Sequence, residues 1–569
     1  MRKDFVSIMA HDIVIRRGTV VDGTGRKGFQ GDVAISGKRV TAIGEVNGRG
    51  RREIDAEGKI VCPGFVDVHT HMDAQVFWDT SGASSSANGV TTVVMGNCGF
   101  GIAPVKAGSE ELALRSLQRA EDIPGEALAT GIDWRWEHFR DYLAAVDAQP
   151  KAINYGANVP HSALRAYVMG ERAFTEEATE QDLQGMAAEL EDALSAGAVG
   201  FSTSRTQQHV TTTDQPVASR LASWDELDYL VSAIGQMKKP LFQIEGESSR
   251  FDPTSTVTYD HLRSFALTGG ITVITSIAQP RNAESHRHQL KFVADILNSG
   301  GLAFNHITCR SISVYKSFMT TMPFDRLPVW RELRECDIAE QQLRLRDPEL
   351  RASLIQSADV GNYGLGIRLD VEPPDWNHVW VVEHPIGPNR TVAEWAAGRG
   401  VHPVEAVIDL ALDTGMAQWF RQDLANLDDG GLREMLHSEG SLMTFSDSGG
   451  HLNQLADSNI QPYFLAYWVR ERQELELERA IYMMTAAPAQ AYCLDRGVIS
   501  EGHWADVNIL DLDEIAPGLP ELVSDLPAGA TRLKHRASGI DFTITSGEVT
   551  FQHGEYTGAV PGELLRTVR

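Results

Sequence analysis

The spacing of apolar and polar residues changes twice along the chain. Up to about residue 62, short β-type runs such as "DIVIRRGTVVDGTG" alternate with Gly and Asp-Gly turns, which is typical of a small antiparallel sheet. From about residue 491 the chain resumes this style, in "ADVNILDLD" and "FTITSGEVTFQHGEYTGA". The likeness of the two ends predicts one β-sandwich built from residues 1–62 and 491–569.

Between these ends, over residues 63–490, apolar strands alternate with helical patterns. Thr179 begins one such helix, and Ser223 with Glu226 three residues later forms a capping box for another. This alternation favours βα units with a parallel sheet, so we predict an α/β fold with a (β/α)8 TIM-like barrel beside the sandwich. The eight predicted strands cover residues 65–69, 90–95, 152–159, 198–202, 241–245, 271–276, 302–307 and 441–447.

A long insertion, about residues 310–440, separates the seventh and eighth predicted strands. It is rich in helical patterns, contains Trp330 and Trp376, and includes "DVEPPDWNHVWVVEHP", which is typical of an irregular or hairpin excursion. Two interpretations stay open. The segment is either a surface insertion or a lid, since loops that follow barrel strands lie over the carboxyl-terminal face.

Composition narrows the class of protein. The 569 residues, with 42% apolar and 22% charged, fit a globular chain of more than one domain. The net charge of −26 disfavours nucleic acid and anionic membranes as partners, because these attract clustered Lys and Arg. No apolar run reaches the length of a membrane span or a secretory signal, so we expect a cytoplasmic protein. Five scattered cysteines predict buried thiols rather than disulfides, and the sequence leaves open whether the chain forms a homo-oligomer.

Polar residues stand where several predicted strands end. His69 and His71 end the first strand in "PGFVDVHTHMD", Cys98 follows the second in "VVMGNCGFG", and Asp447 ends the eighth in "TFSDSGGH". In a barrel these ends converge on one pocket. Imidazoles, a thiolate and a carboxylate suit a zinc-like ion, which lowers the pKa of bound water to about 7. We therefore predict that these four residues hold a metal, with Asp447 also available as the catalytic proton acceptor.

Each candidate has a structural alternative. The histidine pair could be a polar strand end without a metal, Cys98 a small buried residue, and Asp447 a cap for the turn that follows. His161 follows the third strand in "ANVPHSALR", and His451 follows Asp447. We interpret both either as catalytic residues or as hydrogen-bonded residues that are structural or line the substrate pocket.

Several segments together resemble a known family. They are "PGFVDVHTHMD", "GVTTVVMGNCGFGIAPV", "AGAVGFSTSR", "MTAAPAQAYCLDRGVISEGHWADVNILD" and "DIVIRRGTVVDGTG". Over nearly the whole chain they are similar to the N-acyl-D-amino-acid deacylase (D-aminoacylase) branch of the amidohydrolase superfamily. The resemblance implies a zinc-dependent (β/α)8 barrel joined to a β-sandwich that hydrolyses N-acylated D-amino acids. It also implies that His69 and His71 are first-strand ligands, Cys98 a bridging ligand and Asp447 the eighth-strand aspartate.

The chain departs from that family at two strand ends. Similar deacylases place a histidine at the end of the fifth strand and another at the end of the sixth, where this chain reads "LFQIEGES" and "VITSIAQP". In their place stand Glu245, Glu247, Ser276 and Gln279. Glu245 is a candidate replacement ligand or an ion-pair partner of Arg250, and His306 on the seventh strand either reaches the metal or lines the pocket wall. We expect one zinc ion and leave a second position open.

These residues predict a metal-dependent amidohydrolase whose substrate is a small-molecule amide, either an N-acylated (D-)amino acid or a related N-acyl amine. Two alternatives stay open: a hydrolase for a peptide or cyclic amide with an altered metal site, and a non-catalytic protein that binds a ligand in the same pocket. Arg205 in "STSR" and Arg310 after the seventh strand are candidates for holding a substrate carboxylate, against the alternative of structural contacts.

Overall fold

The chain has a mixed α/β fold in the computed structural model, which describes residues 9–235, 240–246, 257–279, 285–363, 373–454 and 457–567. Parallel strands alternate with helices in the middle of the chain, and mainly antiparallel strands occupy its two ends. None of the described helices combines the length and the apolar character needed to cross a membrane.

Both ends of the chain contribute to one nine-stranded sheet. Val507–Leu510 pairs antiparallel with Ile60–Pro63, which joins the late strands to the early ones. Alternate residues such as Ile13, Ile15 and Val33 are buried in a shared apolar core, which accounts for the period-two pattern of these segments. The strands are Met9–Val20, Phe29–Ser36, Arg39–Gly44, Arg49–Asp55, Ile60–Pro63, Val507–Leu510, Ile540–Thr545, Glu548–Gln552 and Glu555–Tyr556.

Eight parallel strands, here numbered β1 to β8, lie in the middle of the described chain. Each pairs with the next along the sequence, and the second segment of β8 pairs with the second segment of β1. They are β1 (Phe65–Asp67 and His69–Thr70), β2 (Val90–Met95), β3 (Asn154–Ala157 and Val159–Pro160), β4 (Phe201–Ser204), β5 (Leu241–Glu245), β6 (Thr272–Ser276), β7 (Ala303–Ile307) and β8 (Ser441–Met443 and Phe445–Ser448).

The strand bounds agree with the sequence pattern to within two residues, apart from one larger shift. The strands β2 and β5 have the predicted bounds, whereas β4 begins at Phe201, three residues later than predicted. Its partner β3 is interrupted at Asn158, so the regular ladder between the two strands starts only at Val159 and Phe201.

Helices connect the parallel strands. Thr179 caps Glu180–Ser195, as predicted, and Asp182 completes a capping box that was not predicted. Ser223 also caps its helix, but the predicted box is only half formed, because the Glu226 carboxylate bonds to His161 and Arg165 instead. The α-helices up to β7 are Ala83–Ser86, Glu110–Ala120, Gly125–Gly131, Phe139–Ala148, His161–Met169, Glu180–Ser195, Trp224–Ile234, Val257–Leu267 and Ser285–Asn298.

The insertion between β7 and β8 has its own apolar core around the fully buried Trp330, whose indole N–H donates to the Leu354 carbonyl at 3.0 Å. Val379–Val381 and Arg390–Thr391 form a hairpin within a four-stranded antiparallel sheet, with Ile312–Lys316 and Phe420–Ala425 as the other strands. The helices of this segment are Pro328–Arg334, Ile338–Arg344, Pro348–Val360, Val392–Arg399, Pro403–Asp413 and Asp429–His437.

The remaining elements follow β8. Glu521–Val523 and Arg532–Lys534 form a two-stranded antiparallel sheet. The helices are Ile460–Phe464, the π-helix Leu465–Glu471, Leu477–Met484 and Ala486–Ala491.

All five cysteines are free, as expected from their number and spacing. The expectation that each is buried is wrong for Cys336 and Cys493, which are partly exposed because both lie just after a helix end.

Candidate metal centre

The structure brings four of the predicted ligand residues together at the carboxyl ends of β1, β2 and β8. Nε2 of His69 lies 3.3 Å from Sγ of Cys98 and 3.4 Å from Oδ1 of Asp447. Nε2 of His71 lies 3.4 Å from the same Asp447 oxygen. Ligand atoms of His69, His71 and Cys98 lie within 4.8 Å of one another, and all three residues are buried. This group could therefore hold a metal ion.

The backbone of the cluster is locally strained. Cys98, Asp447 and His451 adopt the left-handed conformation, with φ of 56°, 52° and 47°, which non-glycine residues rarely occupy. Such residues concentrate at functional sites, where the surrounding structure holds them in place. The turn after Asp447 also requires glycine, because a Cβ on Gly449 would lie 2.7 Å from the His71 carbonyl.

A chain of contacts orients the His69 ring. Nδ1 of His69 lies 2.9 Å from Nδ1 of His306 on β7, and the other ring nitrogen of His306 lies 3.1 Å from the Tyr492 hydroxyl. When Nδ1 of His69 donates to His306, and His306 donates to Tyr492, Nε2 of His69 keeps its lone pair towards Cys98 and Asp447. His306 thus contacts the ring nitrogen of His69 that faces away from Cys98 and Asp447.

The two histidines have opposite electrostatic surroundings. Burial lowers the pKa of His69 to about 3, against the opposing charge of Asp447, so its imidazole is neutral at physiological pH. Burial also disfavours the charged form of His71, but the carboxylates of Glu121 and Asp447 outweigh it and raise the pKa of His71 to about 9. This corner of the site therefore favours a positive charge next to Nε2 of His71.

The acidic groups of the site show the same preference for a cation. Burial disfavours the Asp447 carboxylate, yet His71 and His69 hold the pKa of Asp447 well below its usual range. Burial raises the pKa of the Cys98 thiol, and the charge of Glu245 raises it further. Among the described residues, buried oxygens of Asp447, Glu121 and Glu245 have no hydrogen-bonding partner. Unpaired buried oxygens are costly, and a bound cation would satisfy them.

On the side of the pocket formed by β5 and β6, the described strand ends carry one carboxylate and no histidine. Glu245 ends β5, and burial raises the pKa of its carboxyl group to about 7, with Ser276 at the end of β6 opposing the shift. Gln279 instead donates to Asp428 at 2.6 Å. Glu247 and Arg250, also considered from the sequence, lie outside the described residues.

Three other predicted candidates have partners that hold them in structural positions. Both ring nitrogens of His161 lie 2.8 Å from oxygens, those of Thr203 and Glu226. The guanidinium of Arg310 contacts Asp457 at 3.0 Å, and the Arg205 guanidinium donates to a backbone carbonyl at 2.7 Å. These contacts match the structural alternative that the sequence also allowed. His451, in contrast, lies within the site, with Nε2 3.8 Å from Oε2 of Glu121.

Sequence reasoning missed three residues of the site. Glu121, which follows the helix Glu110–Ala120, is only 2% exposed and belongs to no recognisable motif. Tyr492 lies in the segment "MTAAPAQAYCLD" that carries part of the family resemblance, but nothing in that segment indicates its contact with His306. Asp73 ends the "HTHMD" motif and could have been found from it. Its Oδ2 accepts a hydrogen bond from the Gly96 N–H at 3.1 Å, and burial raises the pKa of its carboxyl group to about 7.

With this geometry in place, comparison with known proteins identifies the family. The sequence profile of the amidohydrolase family matches residues 52–551, most of the chain. The chain belongs to the amidohydrolase family. This amidohydrolase is 28% identical to the N-acyl-D-glutamate deacylase of Alcaligenes xylosoxydans xylosoxydans, in an alignment that covers 98% of the chain and 96% of the relative.

Two solved structures share the fold of this amidohydrolase. A D-aminoacylase crystal structure matches with a TM-score of 0.63 and 22% identity, covering 98% of this chain and 100% of that one. The N-acyl-D-glutamate deacylase from Bordetella bronchiseptica, crystallised with zinc and a phosphonate inhibitor, matches with a TM-score of 0.64, 23% identity and the same coverage. At these identities the likeness establishes the fold alone.

Proposed function

We propose that this amidohydrolase is a zinc-dependent enzyme that cleaves the amide bond of an N-acylated D-amino acid. The main support is the spacing of its candidate ligands. Two ligands at roughly 2.0–2.3 Å from a tetrahedral zinc ion lie about 3.3–3.8 Å from each other. His69 with Cys98, His69 with Asp447, and His71 with Asp447 are separated by 3.3, 3.4 and 3.4 Å.

The proposal includes a (β/α)8 barrel formed by about residues 63–490 and a β-sandwich formed by the two ends of the chain. The circular order in which β1 to β8 pair supports the barrel, and the shared nine-stranded sheet supports the sandwich. We also propose that the insertion covers the pocket. In its support, the backbone of Tyr315 donates to Gln454 at 2.7 Å, and the N–H of Gln454 bonds to His451.

The residues present fit a zinc ion. They offer a neutral imidazole at His69, a thiol, and buried carboxylate oxygens that make no hydrogen bond to the described residues. When bound, zinc polarises a scissile carbonyl and lowers the pKa of water to about 7. Asp447 is placed to accept the proton of the attacking water at its carboxylate and to return it to the leaving amine. His306 and Tyr492 hold the His69 ring in the orientation that binding requires.

The substrate class is supported by the relative that matches along nearly its whole length, an N-acyl-D-glutamate deacylase. A second candidate substrate is a peptide or cyclic amide. It is favoured by one observation, the presence of Glu245 and Ser276 at strand ends where the resemblance implies histidines.

The test is a hydrolysis screen of zinc-loaded protein against matched N-acyl-D- and N-acyl-L-amino acids, together with peptidic and cyclic amides. We expect turnover of the N-acyl-D-amino acids and its loss after zinc is removed by chelation. Turnover of peptidic or cyclic amides alone would favour the second candidate. Absence of any hydrolysis by the zinc-loaded protein would support a non-catalytic ligand-binding role and overturn the proposal.

A further inference from the structure

A buried glutamate from outside the parallel strands approaches His71. Oε2 of Glu121 lies 3.4 Å from Nε2 of His71, the same separation as between that nitrogen and Oδ1 of Asp447. Glu121 is 2% exposed, and its Oε2 has no hydrogen-bonding partner among the described residues. The Nε2 atom of His71 therefore faces two carboxylates.

A carboxylate beside an imidazole ring can be a metal ligand or can only orient the ring. Which of the two ring nitrogens of His71 lies near Glu121 distinguishes these roles. An orienting partner contacts the imidazole nitrogen that does not bind the metal, as His306 does at Nδ1 of His69. Glu121 instead lies at Nε2 of His71, the nitrogen that faces Asp447. Nδ1 of His71 has no hydrogen-bonding partner in the described part of the chain. The Glu121 carboxylate is thus on the metal-facing side of His71.

We propose that Glu121 is a ligand of the metal ion held by His71 and Asp447. This inference rests on the function proposed above. It extends the chain of ligand atoms at ligand-to-ligand spacing from Cys98 through His69, Asp447 and His71 to Glu121. A carboxylate oxygen is an accepted zinc ligand.

The local structure leaves space for this carboxylate. A Cβ on Gly450 would lie 2.5 Å from Oε2 of Glu121, so glycine at this position keeps the approach open. The N–H of His451 donates to the Glu121 carbonyl, which ties the helix end to the turn that carries Asp447. Glu121 thus lies in the connection between β2 and β3 and approaches the ends of β1 and β8, so the extra oxygen ligand does not come from β5 or β6.

The test compares Glu121→Gln and Glu121→Asp with Glu189→Gln in the full-length zinc protein. Glu189 is a matched control, because it is also buried and contacts a histidine, His138, at 2.8 Å, outside the candidate site. Zinc affinity is measured by competition with a chromophoric chelator, and zinc-edge X-ray absorption counts the oxygen and nitrogen neighbours. Glu121→Asp keeps the charge but withdraws the oxygen, so it remains informative if the glutamine variant fails to fold.

We expect both Glu121 variants to weaken zinc binding by more than about 100-fold, beyond the usual cost of losing an outer partner. We also expect one fewer light neighbour around zinc in Glu121→Asp, whose shorter side chain withdraws the oxygen, and no change in Glu189→Gln. Glu121→Gln keeps an amide oxygen that can contact the ion, so this variant is judged by zinc affinity. An unchanged neighbour count in Glu121→Asp would overturn the proposal, whether affinity falls or not. That result would leave the proposed function intact. A wild-type protein that binds no transition metal would overturn both.

Discussion

The two halves of the candidate pocket differ in how many ligand atoms they offer. The half formed by β1, β2 and β8 carries His69, His71, Cys98 and Asp447, with neighbouring ligand atoms 3.3–3.4 Å apart. The half formed by β5 and β6 ends in Glu245 and Ser276. Among the described residues, the ligand atoms that lie close enough to share an ion therefore come from the half formed by β1, β2 and β8.

The largest expected effect comes from removing the histidines of the first half. The double variant His69→Ala/His71→Ala removes two neighbouring ligands, so we expect zinc content and amide hydrolysis to fall to background. Inductively coupled plasma mass spectrometry of the purified protein measures the metal. His138→Ala is the control, because the partly exposed His138 contacts Glu189 away from the cluster. Unchanged zinc in the double variant would place the metal elsewhere.

A change at Asp447 tests whether the half formed by β1, β2 and β8 also accepts the proton of the attacking water. Asp447→Asn keeps an oxygen that can contact the ion but removes the proton acceptor. We expect kcat to fall by about 10²- to 10⁴-fold, the usual contribution of general acid–base catalysis. Steady-state kinetics on the zinc-loaded variant measures this effect, with zinc content determined in parallel. A kcat within about threefold of wild type would assign the proton to another group.

The two halves also differ in how far the sequence predicts them. His69, Cys98 and Asp447 could be predicted because apolar runs mark the strands that position them, and parallel strand ends converge. Glu121 and Tyr492 could not, since each reaches the site from a helical connection and contacts a residue distant in sequence. Glu226 illustrates the same limit. Its spacing from Ser223 predicts a capping box, but burial beside His161 and Arg165 draws the carboxylate to those partners.

A change at Glu245 tests how the half formed by β5 and β6 affects the stability of the metal-free protein. Its pKa is raised by burial from 4.5 to about 7, so the folded state retains a proton that the unfolded state has lost. Stability therefore falls as pH rises from about 4.5 to about 7, and the full penalty is present above pH 7. Glu245→Gln removes it, so we expect the free energy of unfolding at pH 8 to rise by about 1–3 kcal/mol.

Urea unfolding of metal-free wild type and Glu245→Gln at pH 8 and pH 4.5 measures this effect, and the lower pH is the internal control. An equal difference at both values would show that the carboxylate charge is not responsible. Zinc affinity, measured on the same two proteins, shows whether Glu245 is also a ligand. If Glu245 is a ligand, Glu245→Gln weakens zinc binding although it stabilises the metal-free protein. If it is not, zinc affinity stays at the wild-type value.

The smallest expected effect concerns Tyr492, two contacts away from the ligand atoms. Its hydroxyl lies 3.1 Å from His306, which in turn lies 2.9 Å from His69, whereas the hydroxyl of the equally buried Tyr155 has no partner among the described residues. Tyr492→Phe should weaken zinc binding by about tenfold through the looser His69 ring, because outer partners typically contribute 10- to 100-fold. Tyr155→Phe should leave zinc affinity unchanged, as measured by chelator competition. An equal loss of zinc affinity in the two variants would attribute the effect to packing. It would show that the contacts from Tyr492 through His306 do not orient His69.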